Sequence, residues 1–285
     1  MTATLAHRLG RDLLKSQVEL ACLLEVAAAK PGNITPAHHF SDTTYTDMVR
    51  SALAIGPAFA RRRARVRSVG QLIADGVDAT ARVAGTNTNL GIVLMFAPLV
   101  RAEATRPADE TLRAATERVL AALDRLDAAA TFAAIARANP GGLGEAPEHD
   151  VRSPAQVSLR EAMAAAADRD SVASEYATGY AIVFDTALPA LTEELRAGAA
   201  TLDAIVSLYL RLLASRPDTL IVRKAGMGEA RRVSEGAAAV LDGALSPAEF
   251  DSSLRGPDHR LNPGTTADLV AATLLAALLS GTTLP

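Results

Sequence analysis

At 285 residues the chain can bury about three quarters of its surface on folding, so a full hydrophobic core is within reach. Apolar residues make up 49% and aromatics only 4%; alanine and leucine supply most of the apolar share, which favours helix and leaves little material for strands. A net charge of -3 argues against a general nucleic-acid binder, and Cys22, the only cysteine, excludes an intramolecular disulfide.

In chain order, apolar residues at helical spacing (Leu13, Leu14, Val18, Leu20, Leu24) predict a first helix over 13–29. Pro31-Gly32 stops it, because proline cannot continue a helix and glycine accepts the cap geometry. A polar loop over 33–44 follows. Helices are then predicted over 47–64 and 69–83. After a tight polar loop at 85–89, an apolar run over 91–101 and an amphipathic one over 108–126 continue the pattern. The turn-rich segment 139–154 interrupts the chain. Further helices are predicted over 158–168, 170–186, 201–214, 228–241 and, after Asn262-Pro-Gly-Thr-Thr266, over 267–280. No run alternates with period two. The expectation is an all-α, compact single-domain bundle over 1–285, with about ten helices and polar loops gathered at one pocket. Residues 1–10 lack the apolar core of a secretory signal, and the stretches 92–100 and 269–279 are too short or interrupted to span a bilayer. A cytoplasmic protein is expected.

Four polar, turn-rich segments lie between the apolar helices: 25–33 with Asp47, 85–91, 139–150 and 262–268. No Walker loop, dinucleotide glycine fingerprint, zinc cysteine pattern or nucleophile elbow is present. Enzyme chemistry therefore falls to dispersed acids, amides and a few bases.

These segments resemble the motifs of the triphosphoribosyl-dephospho-coenzyme A synthase family. Glu25-Val26 with Lys30-Pro31-Gly32 and Asp47-Met48 is similar to the first motif. Gly85-Thr-Asn-Thr-Asn-Leu-Gly91 is similar to the asparagine-threonine loop, and Pro140-Gly-Gly-Leu-Gly-Glu145 to the mid-chain glycine loop. Asp218-Thr219 with Lys224 and Gly226, then Asn262-Pro-Gly-Thr-Thr-Ala-Asp-Leu269, follow in family order. The resemblance implies an all-helical transferase that binds ATP. A ribose hydroxyl of dephospho-coenzyme A attacks the ribose C1 of ATP, and adenine leaves. Two departures stand out. The family loop continues with a histidine and a basic residue where this chain has Asn89 and Leu90, and 37–44 lacks the family's glycine-histidine pattern. In these it resembles homologues of methanogens and methylotrophs found beside genes for one-carbon cofactors such as tetrahydromethanopterin. A pterin- or furan-type acceptor is one alternative; a noncatalytic nucleotide- or partner-binding helical module is another.

Ribosyl transfer passes through a cation-like C1 and needs a carboxylate to take a proton or face the charge, plus a grip on polyphosphate. Glu25, Asp47 and Asp268 are the candidate catalytic acids. Each has a plainer reading: a surface acid for Glu25, a helix-start acid for Asp47, and an early-turn acid behind a Thr265 or Thr266 cap for Asp268. Mg²⁺ is the expected cofactor, with Asp47, Glu145, Asp150 and Asp268 as candidate ligands. Lys30 and Lys224 are notable because lysine otherwise occurs only at Lys15; each meets phosphate or ends a helix. Gly32, Gly141 and Gly142 let backbone approach a phosphate or simply turn the chain. Asn87, Asn89, Asn262 and Thr265 read a nucleoside or make local turn bonds. The run Arg61-Arg62-Arg63-Ala-Arg65-Val-Arg67 reads first as a solvated helix end. Tyr176 and Tyr180 read as core. Expected partners are ATP or a related phosphoribosyl donor and a small cofactor-precursor acceptor, with no nucleic acid, no membrane, and a homodimer as the default assembly.

Overall fold

The computed structural model describes residues 2–284 apart from 142, 143 and 145–147, with side chains from residue 13 onward. In chain order the helices are α1 (Thr2–Ala27), α2 (Tyr45–Ala58), α3 (Arg61–Val66), α4 (Val69–Ala81), α5 (Leu90–Thr105), α6 (Leu112–Ala121), α7 (Arg125–Ala138) and α8 (Leu159–Ala164). There follow α9 (Ser171–Thr178), a π-helical turn (Ile182–Ala187), α10 (Leu188–Arg196), α11 (Thr201–Ser215), α12 (Thr219–Ala225), α13 (Met227–Leu241), α14 (Pro247–Leu254) and α15 (Gly264–Leu279). An isolated bridge between Thr35 and His38 is the one β-type pairing among the described residues. The fold is all-α, as the composition predicts. No helix among the described residues is long and apolar enough to cross a membrane.

The spine is the pair α5 and α15. Both are apolar on nearly every face, and such helices are stable only when surrounded. Gly91 meets Asp268 near their N-termini, and Arg106, just past α5, donates to the Leu279 carbonyl at the last residue of α15 (3.3 Å). The two helices therefore run side by side in the same direction. Around them the other helices and the π-turn each contribute buried residues to one continuous core.

Pro98 inside α5 lacks an amide hydrogen and so leaves the carbonyl of Leu94 without its helical donor. The Tyr176 hydroxyl takes that carbonyl at 2.6 Å, and Tyr180 takes the next, Met95, at 2.7 Å. Both rings are fully buried, as expected of core residues. Burial raises both phenol pKa values far above their usual range, so they stay neutral donors. Gly179 ends α9 in the left-handed region, and the buried Glu175 carboxylate then accepts the amides of Ile182 (2.9 Å) and Val183 (3.0 Å), starting the π-turn. The single helix expected over 170–186 is interrupted there.

Two other expected runs divide. The run 47–64 breaks at Phe59-Ala60, where Phe59 is fully buried and α3 starts afresh. The run 108–126 ends with α6. Asp124 then caps α7 through the amides of Leu126 and Asp127, while Asp127 reaches across to the Gly70 amide at 2.7 Å. The basic run lies at the surface, with Arg62, Arg63 and Arg65 exposed, as a solvated helix end would; within it Arg61 pairs with Glu103, Arg65 donates to the Ala104 carbonyl, and Arg63 and Arg67 flank Asp75.

Candidate active site

A cavity of about 1300 Å³ opens where the N-termini of α5 and α15 meet the end of α1. Polar segments far apart in sequence line it, including Glu25, Asn33, Asn87, Asn89, Gly141, Lys224, Asn262, Thr265 and Asp268. Two parallel helix dipoles end there with their positive poles, a field that favours anions.

Asp268 projects from the first turns of α15 against Gly91 of α5. A Cβ on Gly91 would lie 2.0 Å from the Asp268 Oδ2, so only glycine lets the carboxylate approach. Among the described residues no group donates a hydrogen bond to it. Burial, then the neighbouring charges of Glu25, Asp218 and Asp170, push its pKa well above the usual carboxylate range; Arg223 opposes them. Glu25, near the end of α1, is held differently. Lys30 is fully buried, its Nζ 3.0 Å from Glu25 Oε1, and it also donates to the carbonyls of Glu25 and Ala28. The pair leaves α1 capped and Glu25 with a fixed counter-charge.

The asparagine loop is mostly used to build the wall. The Asn87 Oδ1 accepts the Leu90 amide at 3.0 Å and so caps α5. The Asn89 Oδ1 accepts the Thr80 hydroxyl at 2.9 Å. Their amide NH₂ groups bond no described residue. The Asn33 amide donates to Asn262 Oδ1 at 2.6 Å, joining the loop after α1 to the one before α15. Phe40 and His259 stack at 3.9 Å between ring centroids, and His259 Nε2 accepts the Ser41 amide, so the same two loops are held at a second point.

Lys224, at the end of α12, lies along the mid-chain glycine turn: a Cβ on Gly141 would be 3.3 Å from Lys224 Cε. Among the described residues its ammonium has no acidic partner. Asp218, at the start of the same helix, is buried. Its Oδ1 accepts the amides of Leu220 (2.8 Å) and Ile221 (3.1 Å), and its Oδ2 the amide (2.7 Å) and hydroxyl (2.8 Å) of Thr266. Burial raises its pKa, and these four bonds work against the rise.

Several sequence candidates sit elsewhere. Lys30 is off the cavity wall because Glu25 and the end of α1 consume all its donors. Gly32 packs on Leu254 and Pro263, its amide given to Asp251; it turns the chain at φ +80°. Asp47 closes a capping box with Thr44 on the surface, and that hydroxyl and amide lower its pKa. Asp150 contacts Arg152 and is not on the wall. Asp47 and Asp150 thus do not join Asp268 in a metal set, and among the described residues no three His, Cys, Asp or Glu side chains cluster to hold an ion. Gly142 and Glu145 lie outside the described residues. Thr265 and Thr266 do not cap α15; both lie within its first turn. Glu148 is exposed and His149 half-buried at the cavity mouth. Asn33, Phe40, Arg223 and His259 on the wall, and Asp218 behind it, carry no distinctive spacing of their own; in the sequence Asp218 stands out only through the Asp218-Thr219 motif.

The family model of the ATP:dephospho-CoA triphosphoribosyl transferases (CitG) matches residues 11–284. The chain belongs to this family. It is accordingly a transferase. A relative from Stutzerimonas stutzeri (strain A1501), provisionally named a 2-(5''-triphosphoribosyl)-3'-dephosphocoenzyme-A synthase, is 30% identical across 94% of this chain and 90% of its own. The synthase of that name from Pectobacterium atrosepticum is 36% identical over 104 residues, 35% of this chain and 34% of its own. A crystal structure from Archaeoglobus fulgidus, provisionally named a triphosphoribosyl-dephospho-CoA synthase, superposes with a TM-score of 0.64 at 25% identity. It covers 82% of this chain and 99% of its own.

Proposed function

We propose that this transferase moves the triphosphoribosyl group of ATP to a ribose hydroxyl of a dephospho-CoA-type acceptor and releases adenine. The observation that carries the reading is Asp268: a carboxyl with no hydrogen-bond donor among the described residues, admitted by Gly91 to the polar end of two parallel helices. In this reaction the acceptor oxygen forms a bond to C1 of the ATP ribose while the bond from C1 to the adenine nitrogen breaks. The hydroxyl proton passes to a wall carboxylate, adenine leaves with the electron pair of the broken bond, and the carboxyl returns that proton to adenine directly or through water. A carboxyl whose proton affinity is raised, as that of Asp268 is, suits the accepting role. Glu25, fixed by Lys30, faces the positive charge that develops at C1. Lys224 and the Gly141 amide beside it meet the phosphates. A volume of about 1300 Å³ exceeds the roughly 300–1000 Å³ of an ordinary small-ligand site, which favours two large substrates held together.

The acids on the inner wall suit Mg²⁺, a hard cation that takes one or two carboxylates and shares the rest of its shell with phosphate and water. Glu25, through the oxygen that Lys30 leaves free, would hold it beside the phosphates, and bound there it would draw negative charge from the triphosphate.

A second reading keeps the donor and changes the acceptor to a pterin- or furan-type precursor of a one-carbon cofactor. It is favoured by the wall at Asn89 and Leu90, which presents an amide tied to Thr80 and an apolar side chain in place of a cation. The test is incubation of the protein with ATP, Mg²⁺ and dephospho-CoA, with adenine followed by chromatography and the acceptor by mass. Adenine release with a matching triphosphoribosyl gain on dephospho-CoA is the expected result. Bound ATP with neither signal would remove dephospho-CoA as acceptor and turn the same assay to the pterin precursor.

A further inference from the structure

Asp218 is not on the cavity wall, yet it joins the two elements that carry Lys224 and Asp268, charges that no described residue pairs. It opens α12, whose far end bears Lys224, by accepting two backbone-amide hydrogen bonds at its Oδ1. Through its Oδ2 it holds both donors of Thr266, two residues before Asp268 on α15. The neighbouring threonines add a third tie, Thr219 donating to the Thr265 hydroxyl at 3.2 Å. At its other end α12 is anchored by Arg223 to Asp170, the cap of α9. The helix has only 7 residues and buries one of them, Ile221, so packing alone does little to fix it. Its placement rests on these polar ties, and a carboxylate bonded on both oxygens is the strongest of them.

We infer that Asp218 is a positioning residue for the transfer reaction, acting through Thr266 to set the distance between Lys224 on the phosphates and Asp268 at the reacting carbon. The inference rests on the function proposed above and assigns that function a residue outside the cavity. A carboxylate is needed because each oxygen serves a different helix as an acceptor. An amide at the same position would turn its NH₂ toward donors on one side or the other. Misplacement of reacting groups by about 1 Å costs on the order of 100-fold in rate, so a small slip of α12 against α15 is enough to be measured.

The test uses Thr266→Val, which deletes the hydroxyl bond and leaves the backbone one, with Thr266→Ser as the rescue and Lys224→Met for comparison. Asp218→Asn is the stronger variant if it folds. Binding of ATP with Mg²⁺ is measured by calorimetry, and adenine release with dephospho-CoA by chromatography. For Thr266→Val we expect roughly a tenfold fall in kcat and a rise of about fivefold in the ATP Kd, in the direction of Lys224→Met. The stoichiometry should stay at one ATP per chain and the thermal midpoint near that of the parent. Thr266→Ser should recover both constants. A Thr266→Val protein with the parent's kcat and Kd overturns the inference. So does a loss of activity matched by a loss of binding stoichiometry, which would mark a purely structural role. If the parent itself releases no adenine, the proposed function fails. The positioning role is then judged on the ATP Kd alone, and an unchanged Kd in Thr266→Val rejects it.

Discussion

At the C-terminal end of α5, Glu103 pairs with Arg61 at 2.8 Å and with Arg106 at 2.6 Å, and Arg106 also reaches the end of α15. At the N-terminal end of the same helix pair, Asp268 lies against Gly91 and accepts no hydrogen bond from any described residue, while Lys224 nearby pairs with no described acid. One end spends its charges on one another; the other end keeps them. The dense arginine run belongs to the first end, and the rare lysine to the second. Charge density along the sequence is therefore a poor guide to chemistry, because a charge with a fixed partner has little left for a ligand. What marks the site is a charge that the fold has sheltered and not paired.

The largest effect should come from removing the sheltered acid. Asp268→Asn is expected to lower kcat by at least about 100-fold, the scale of a lost general acid or base, with the thermal midpoint unchanged or raised. A variant that keeps full adenine release would assign the reaction to another group. Gly91→Ala probes the same contact from α5. Its methyl would overlap the Asp268 carboxylate, so turnover should fall by about tenfold or more and stability by about 1–3 kcal/mol. Measuring both separates the two: loss of stability alone would mean that the carboxylate's position does not matter.

Glu175 tests whether a buried acid away from the cavity behaves as a structural one. Burial raises its pKa to about 7 against the bonds from Val183 and Ile182. The folded state then binds its proton more tightly than the unfolded state. Its contribution to stability should be greatest below about pH 4.5, decline as pH rises toward 7, and level off above. The difference in unfolding free energy between the parent and Glu175→Gln, followed from pH 4.5 to 8, should show that slope; a flat difference rejects it. The smallest effect belongs to the paired end. Arg61→Ala should cost about 1 kcal/mol or less and leave kcat and the ATP Kd as they were. A kinetic effect there would erase the contrast between the two ends.

Much of the fold could be read locally. The apolar runs that became α5 and α15 predict buried helices, and Pro31-Gly32 and Asn262–Pro263 mark true breaks. The short helices were missed where their signals were polar. α7 is alanine-rich with little amphipathic contrast, and only Asp124 and Asp127 announce its start. α12 and α14 begin on Asp218 and on a Ser246–Glu249 capping box, cues that carry no hydrophobic period. The site was legible as a set of polar segments but not as a set of roles. Asp47 and Asp268 are both acids in an early helical turn. One closes its own capping box, and the other crosses to a glycine 177 positions away, the difference between 268 and 91.

Composition, periodicity and turn residues thus determined that this chain is helical and which segments would be polar loops, because those properties depend on neighbours within a few turns. The tertiary structure decided which polar groups would be consumed. Lys30 closes on Glu25 and disappears into the core, whereas Lys224 arrives beside Gly141 with no acid to meet it among the described residues. The physical reason is that pairing and desolvation are set by whatever the fold brings within a few ångströms, and for this cavity those groups come from both ends of the chain.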